Sequence, residues 1–257
     1  MLSPYGLHIV ESCLTCKMRA DRIFCDLSTA ALQAFDRIKY ATSYPEGAVL
    51  FLEGQAPRGI FVLCTGQVKV SLSARDGKTL ILRIVEPGEV LGLSATVSGQ
   101  PYELTAETMG PCQVNFVKRE DFLRFLKENS DACFKVAEQL SAKYNNTCHE
   151  LRALGLSHSA GEKLAKLLLE WGSRNGEFAK VKLRVRLALT HEEIAQMIGT
   201  SRETVTRLFA DLKKRHIVQL KGSMLLIRNR AALEALASNR QLGTRSLIKA
   251  TFATNLT

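Results

Sequence analysis

No uncharged apolar run in these 257 residues approaches the roughly 18 that a membrane-spanning helix needs, and the first residues hold no basic stretch leading into an apolar core and cleavage site. A soluble, cytoplasmic protein with no membrane partner is expected. Histidine is sparse and scattered: His8, His149, His158, His191 and His216 stand apart, none beside a carboxylate pair or a nucleophile motif. Enzyme chemistry is therefore not expected. Basic side chains are missing from one long stretch, since neither Arg nor Lys occurs between Arg83 and Lys118. A buried phosphate needs a charge-assisted donor, and that stretch has none to offer.

What is present fits more than one domain: 46% of residues are hydrophobic and 23% charged, enough for two cores of ordinary size. The seven cysteines are not expected to form a disulfide framework in a reducing compartment, so each is either a small buried hydrophobe or chemically active. Charge is divided unevenly. Residues 1–157 carry equal numbers of acids and bases, so the whole net charge of +10 resides in residues 158–257. A basic domain joined to a neutral one is the footprint of a module that binds phosphate backbones, whereas charge kept for solubility alone would be spread evenly.

The clearest local pattern lies in that basic part. Thr190 and Glu193 sit at capping-box spacing, Ile194, Met197 and Ile198 form an apolar face, and Gly199 ends the helix. Thr200 or Ser201 then caps a second helix that turns Val205, Leu208, Phe209 and Leu212 inward and leaves Arg202, Glu203, Thr206 and Arg207 outside. This is the layout of a helix-turn-helix that reads DNA: arginine can donate two parallel bonds to guanine, and glutamate can accept from cytosine. An ordinary helical hairpin with a solvated charged face, Glu203 serving only as a cap, has the same periodicity. Beyond it, Ile217–Leu220 and Met224–Ile227 flank Lys221-Gly222-Ser223, predicting a β-hairpin wing whose Lys221 reaches phosphate. Ser201, Thr204, Thr206 and Thr190 complete the candidate DNA contacts.

Between about residues 40 and 118 short apolar runs alternate with glycine turns, at Val49–Leu52, Gly59–Leu63, Val68–Leu72 and Thr79–Val85, predicting an all-β sandwich or roll. Asp76-Gly77 is expected to form a type I′ hairpin turn. From Phe122 to Leu154 the period becomes helical, and Cys133, Ala137, Leu140, Tyr144, Thr147, Leu151 and Leu154 trace a heptad seam. The seam could pack on the β-domain or pair with a second copy, as a helix-turn-helix dimer reading two half-sites requires.

This order of elements resembles the CRP/FNR family of bacterial transcription regulators from about residue 28 to residue 236. Pro45-Glu46-Gly47, Glu53-Gly54, Gly59 through Gly66 and Gly88-Glu89-Val90-Leu91-Gly92 resemble its β-roll glycine pattern, and Ser201 through Arg207 resembles its recognition helix. The resemblance implies an α+β fold: an N-terminal antiparallel β-roll of the cyclic-nucleotide-binding type, a long dimerisation helix and a C-terminal winged helix-turn-helix. The segments would be 1–27 (cysteine-containing), 28–127 (roll), 128–157 (helix), 158–237 (winged helix) and 238–257 (mobile tail). It also implies a homodimer on double-stranded DNA with a pseudo-palindromic operator, contact with RNA polymerase, and base reading by Arg202, Glu203 and Arg207. Having Arg at 202 looks more like the cyclic-AMP-receptor branch than the oxygen-sensor branch.

The signal is a separate matter. In cyclic-nucleotide members an Arg-Ser pair holds the cyclic phosphate; here the corresponding segment reads Ser98-Gly99-Gln100-Pro101-Tyr102-Glu103, so a bound cyclic nucleotide is not expected. Cys13, Cys16 and Cys25 cluster near the N-terminus, and Cys112 resembles the position from which the oxygen sensor supplies its fourth thiolate, which implies a [4Fe-4S] cluster and redox sensing. The spacing C-x2-C-x8-C departs from the sensor's C-x2-C-x5-C. Zinc on the same sulfurs, a Cys13–Cys16 dithiol switch, a small ligand in the β-roll and inert thiols are the alternatives. Cys64 and Cys133 are expected to be buried packing residues, and Cys148 flanks the seam. A reply from another class also stands: a regulatory subunit or enzyme carrying a β-roll.

Overall fold

The computed structural model describes residues 5–7, 9–16, 25–156, 159–174, 183–186, 189–221 and 224–238. The chain forms two compact units, residues 1–150 and 151–257. The first contains a short 3-10 turn at Cys13–Thr15, α1 (Thr29–Ile38), β1 (Tyr40–Tyr44), β2 (Val49–Phe51), β3 (Gly59–Thr65), β4 (Val68–Ser73), β5 (Thr79–Val85), β6 (Val90–Leu91), α2 (Leu93–Ser98), β7 (Thr105–Thr108), β8 (Cys112–Lys118) and α3 (Arg119–Glu128). α4 (Ser130–Leu156) follows. Then come α5 (Ala160–Arg174), β9 (Leu183–Arg186), α6 (His191–Ile198), α7 (Arg202–Lys214), β10 (Val218–Lys221), β11 (Met224–Ile227) and α8 (Arg230–Ala237). The fold class is α+β, and no described helix is long and apolar enough to cross a membrane.

The first unit is a roll of two four-stranded antiparallel sheets, ordered β1-β8-β3-β6 and β2-β7-β4-β5. Side chains on a strand alternate between faces, and β3 and β8 have something to bury on both. Phe61, Leu63, Cys112 and Val114 point into the roll against Leu50, Phe51, Val68, Val70 and Tyr102. Ile60, Val62 and Val117 point outward, under a second cluster built from Leu32 and Phe35 of α1, Phe122 and Phe125 of α3, and Ala132 and Val136 of α4. The helices thus roof one sheet, which explains why those strands are apolar almost without interruption.

Inside the roll Tyr102 is 1% exposed. Its ring stacks on Phe51 at 4.1 Å between centroids, and its hydroxyl donates to the Gly59 carbonyl at 2.8 Å while accepting from the Arg58 and Gly59 amides. Gly92 packs against that ring with φ +70°; a Cβ there would lie 2.7 Å from Tyr102 Cε1.

The β4–β5 connection differs from the expected turn. Ser73 pairs with Thr79, leaving a five-residue loop closed by Gly77 N–H to Ala74 O at 3.0 Å. Among the described residues Gly77 has positive φ (+83°) and Asp76 does not, so a type I′ turn is excluded. A longer loop lets the Asp76 side chain take the Lys78 amide and ammonium instead.

In α4 the expected seam is exposed at Cys133, Ala137, Tyr144 and Thr147 and turns inward at Leu140. Leu140 packs on the roll's outer cluster, while Phe134 and Tyr144 are 65% and 71% exposed. Beside the seam an outward stripe runs Phe134, Ala137, Ser141 and Tyr144, with half-buried Cys148 one step further. Cys133 is exposed and Cys64 half-buried, so neither is the fully buried packing residue expected. Leu151 and Leu154, whose side chains lie outside the described residues, complete the expected seam, and the expected tail falls outside them from residue 239.

Replacing Tyr102 with Phe should leave two amide donors and a carbonyl without partner in a dry interior. A loss of about 1–3 kcal/mol in the urea unfolding of the roll is expected, followed by circular dichroism.

Candidate nucleic-acid interface

The second unit is built to hold two helices at a fixed angle. Thr190 caps α6 by accepting from the Glu193 amide at 3.2 Å, and the Glu193 carboxylate takes the Thr190 amide at 2.9 Å, a complete capping box. Gly199, at φ +63°, ends α6 in a left-handed cap that a side chain would strain. Ser201 restarts the chain as the cap of α7, accepting from the Thr204 amide at 3.2 Å. The inner faces, Ile194, Ala195 and Ile198 with Val205, Phe209 and Leu212, lock into one core with Leu164 and Leu168 of α5.

Locking the inner face fixes what α7 offers outside. Arg202, Glu203, Thr206 and Arg207 are exposed. The Arg202 guanidinium makes no hydrogen bond or ion pair among the described residues, and Arg207 reaches only the Thr204 hydroxyl at 3.4 Å. Glu203 is differently placed: its own backbone amide and the Ser201 hydroxyl hold its carboxyl below the ordinary carboxylate range. It therefore both caps the helix and faces outward. Ser201 and Thr204 bond to each other at 3.1 Å, and Thr206 donates to the Arg202 carbonyl at 3.0 Å.

One participant was not marked by periodicity. His191, the first residue of α6, stacks on Phe209 with ring planes 9° apart and places Nδ1 3.0 Å from the Thr206 hydroxyl. Its position beside the cap conceals a partner fifteen residues away. The wing pairs β10 with β11 antiparallel, and β9, unmarked in the sequence reading, adds a third strand along β11. The Lys221 side chain and Gly222-Ser223 lie outside the described residues.

The candidate thiol ligands are separated. Cys13 lies on the roll's outer face: its amide donates to Asp36 at 2.7 Å, and its sulfur accepts from Asn115 Nδ2 at 3.7 Å. Burial pushes this thiol up to about 12, with Lys39 pulling it back and Cys64 and Asp36 adding to the rise. Burial pushes Asp36 up too, but the Cys13 amide and the Lys39 ammonium outweigh it and hold the carboxyl below its usual range. Cys25 packs against the same outer cluster, while Cys16 is half-buried beyond the short turn.

Cys112 is on the other side. Three positions from Asn115 on β8, it faces the interior, fully buried, donating to the Gln67 and Gly110 carbonyls at 3.3 Å each. Burial raises its thiol as well. The sheet itself stands between it and Cys13, so the four sulfurs do not converge. Cys64, two residues beyond Val62, is the thiol that shares Cys13's face. Among the described residues no three His, Cys, Asp or Glu side chains gather where they could hold a metal ion.

Residues 41–129 match the Cyclic nucleotide-binding domain family and residues 162–236 the Crp-like helix-turn-helix domain family. The CRP-like cAMP-activated global transcriptional regulator of Mycobacterium tuberculosis is 28% identical over 205 residues, covering 80% of this chain and 91% of that protein. The nitrogen fixation regulation protein FixK of Bradyrhizobium diazoefficiens is 24% identical over 238 residues, 93% of this chain and 97% of that one. The solved structure of FixK2 from Bradyrhizobium japonicum superposes with a TM-score of 0.68 at 24% identity, over 77% of this chain and 97% of that one. A β-roll followed by a winged helix-turn-helix with a free arginine face defines a DNA-binding transcription regulator rather than an enzyme. The chain belongs to the CRP/FNR family.

Arg202→Ala should weaken binding to a specific duplex by about 1–3 kcal/mol and relax one base position, while Lys221→Ala should weaken all sequences alike. Competition binding against random duplex separates the two, and equal losses on both DNAs for Arg202→Ala would remove its role as a base reader.

Proposed function

We propose that this regulator acts as a homodimer whose two α7 helices read the half-sites of a pseudo-palindromic operator in the cytoplasm, and that it contacts RNA polymerase there. The exposed, unpaired Arg202 beside Arg207, on a helix whose opposite face is fixed in the core, carries the reading half. Half-sites lie roughly 34 Å apart, one helical turn, so two copies must be held in register. The α4 stripe supports that role: Phe134, Ala137, Ser141, Tyr144 and Cys148 step by three and four, with two large side chains in solvent. Covering one Phe in each copy stabilises by roughly 1.5–3 kcal/mol.

For the signal, the outer face of the roll is the better candidate than its interior. Cyclic AMP activates the mycobacterial relative by its name, but here no cation lies between Arg83 and Lys118, and Tyr102 fills the interior against Phe51. The outer face is instead crossed by residues 9–16. Gln113 bonds both the amide and carbonyl of Val10, Asp36 takes Ser12 and Cys13, and Lys39 donates to the Glu11 carbonyl. Thiol chemistry at Cys13, Cys16 or Cys25 would act on this strap, and so on α1 and the first turns of α4 beneath it. A four-thiolate cluster using Cys112 does not fit the arrangement, because that sulfur faces the interior.

Glutamate at both Phe134 and Tyr144 should give a folded monomer in analytical ultracentrifugation; an unchanged dimer would place the interface elsewhere. Protein purified without oxygen should contain no stoichiometric iron and sulfide. Iron and sulfide present in the wild type and lost in Cys112→Ser would restore the cluster.

A further inference from the structure

His191 joins the two helices of the DNA-binding motif by a hydrogen bond to Thr206. The Thr206 hydroxyl has one proton, and it donates that proton to the Arg202 carbonyl at 3.0 Å. With that proton on the carbonyl, the oxygen accepts from His191 Nδ1, 3.0 Å away, in the tautomer that carries its hydrogen there. A neutral imidazole has a single N–H, so the neutral ring presents Nε2 as a bare lone pair. Nε2 has no partner among the described residues. The stack on Phe209 holds the ring in this orientation.

The neighbourhood says what Nε2 meets. In a helix-turn-helix the first helix crosses the sugar-phosphate backbone while the second enters the groove. His191 is the first residue of the former and is bonded to the outward face of the latter. A phosphate oxygen there can only accept. The neutral ring offers it a lone pair; the imidazolium offers a charge-assisted Nε2–H.

We propose that His191 is a proton-gated phosphate contact, engaging the DNA backbone only as the imidazolium, so that operator affinity falls as pH rises through the imidazole range. The proposal rests on the reading of α6 and α7 as the DNA interface. The charged side chains on the helices packed together here are Glu192 and Glu193 on α6, the latter committed to the Thr190 cap, Arg202 and Lys213 on α7, and Lys163 with the Glu162–Lys166 ion pair on α5. Among these groups and the ring itself, imidazole is the side-chain type that changes charge between about pH 5 and pH 8. An arriving phosphate favours its charged form.

The test uses the full-length protein and a duplex that the protein itself has selected from a randomised pool, with anisotropy titrations at fixed ionic strength from about pH 6 to about pH 8. Wild type should lose roughly tenfold or more in affinity, with a slope approaching one proton per subunit. His191→Gln should bind weakly with a flat profile, and His191→Arg tightly with a flat profile. Thr206→Val, which removes the acceptor that keeps the proton on Nδ1, should flatten the slope because the neutral ring can then turn its N–H to the phosphate. Emission from Trp171, the single tryptophan, which packs on the core of this unit, verifies that each variant is folded. A flat wild-type profile with binding intact, or the wild-type slope persisting in His191→Gln, would overturn the proposal and leave the DNA reading standing. No binding to any duplex at either pH would remove the DNA reading and the proposal with it.

Discussion

Strand β8 lies between β1 and β3 and is buried on both faces, and the organisation of the first unit follows from that constraint. Each residue of β8 belongs to one of two environments that the sheet keeps apart. Cys112 and Val114 belong to the interior with Tyr102; Val117 belongs to the helical roof; Gln113 and Asn115 face outward, where strands elsewhere in the roof's shadow are apolar. Two fully buried amide side chains on an otherwise apolar face are costly unless something bonds to them. The N-terminal strap bonds Gln113 through Val10 and the Asn115 amide nitrogen through the Cys13 sulfur, leaving Asn115 Oδ1 without a partner among the described residues, which is why residues so far away in sequence cross this face of the sheet.

The winged helix obeys a different economy. Its interface needs no concave pocket, only two short helices whose rotation about their own axes is prevented. Two N-caps, Thr190 and Ser201, and one left-handed glycine set where α6 starts and stops and where α7 starts, and the apolar inner faces set how they are turned. Arg202 and Arg207 are then exposed not by chance of surface composition but because every alternative rotation would bury a guanidinium and expose Phe209. The same rotation brings His191 beside Thr206, so the residue that begins one helix is tied to the reading face of the other.

Much of this was legible from the chain. Short apolar runs at Gly59–Leu63 and Thr79–Val85 became β3 and β5, and the Thr190–Glu193 box and Gly199 became helix ends, because each is governed by neighbours within a few residues. The failures share an opposite character. Strand β9, Leu183–Arg186, has too short a pattern to stand out and exists because β11 offers it an edge. The seam of α4 is exposed at Cys133, Ala137, Tyr144 and Thr147, but heptad spacing alone did not show that the roll would take Leu140 from it. Asp76-Gly77 resembles a two-residue turn until the register of β4 and β5 opens the loop to five.

The cysteines mark the boundary most clearly. Their number, their N-terminal clustering and the absence of cations between Arg83 and Lys118 are properties of the chain alone, as are the helix-turn-helix caps and the confinement of the net positive charge to residues 158–257. Which thiols share a space was decided by the fold. A one-residue step along a strand moves a side chain to the other face of a sheet, so Cys112 is separated from Cys13 while Cys64, with no motif around it, is brought to Cys13's side. Local periodicity and capping act within a few residues and can be read in order; which face of a sheet a residue occupies depends on pairing partners that only the closed tertiary structure brings together.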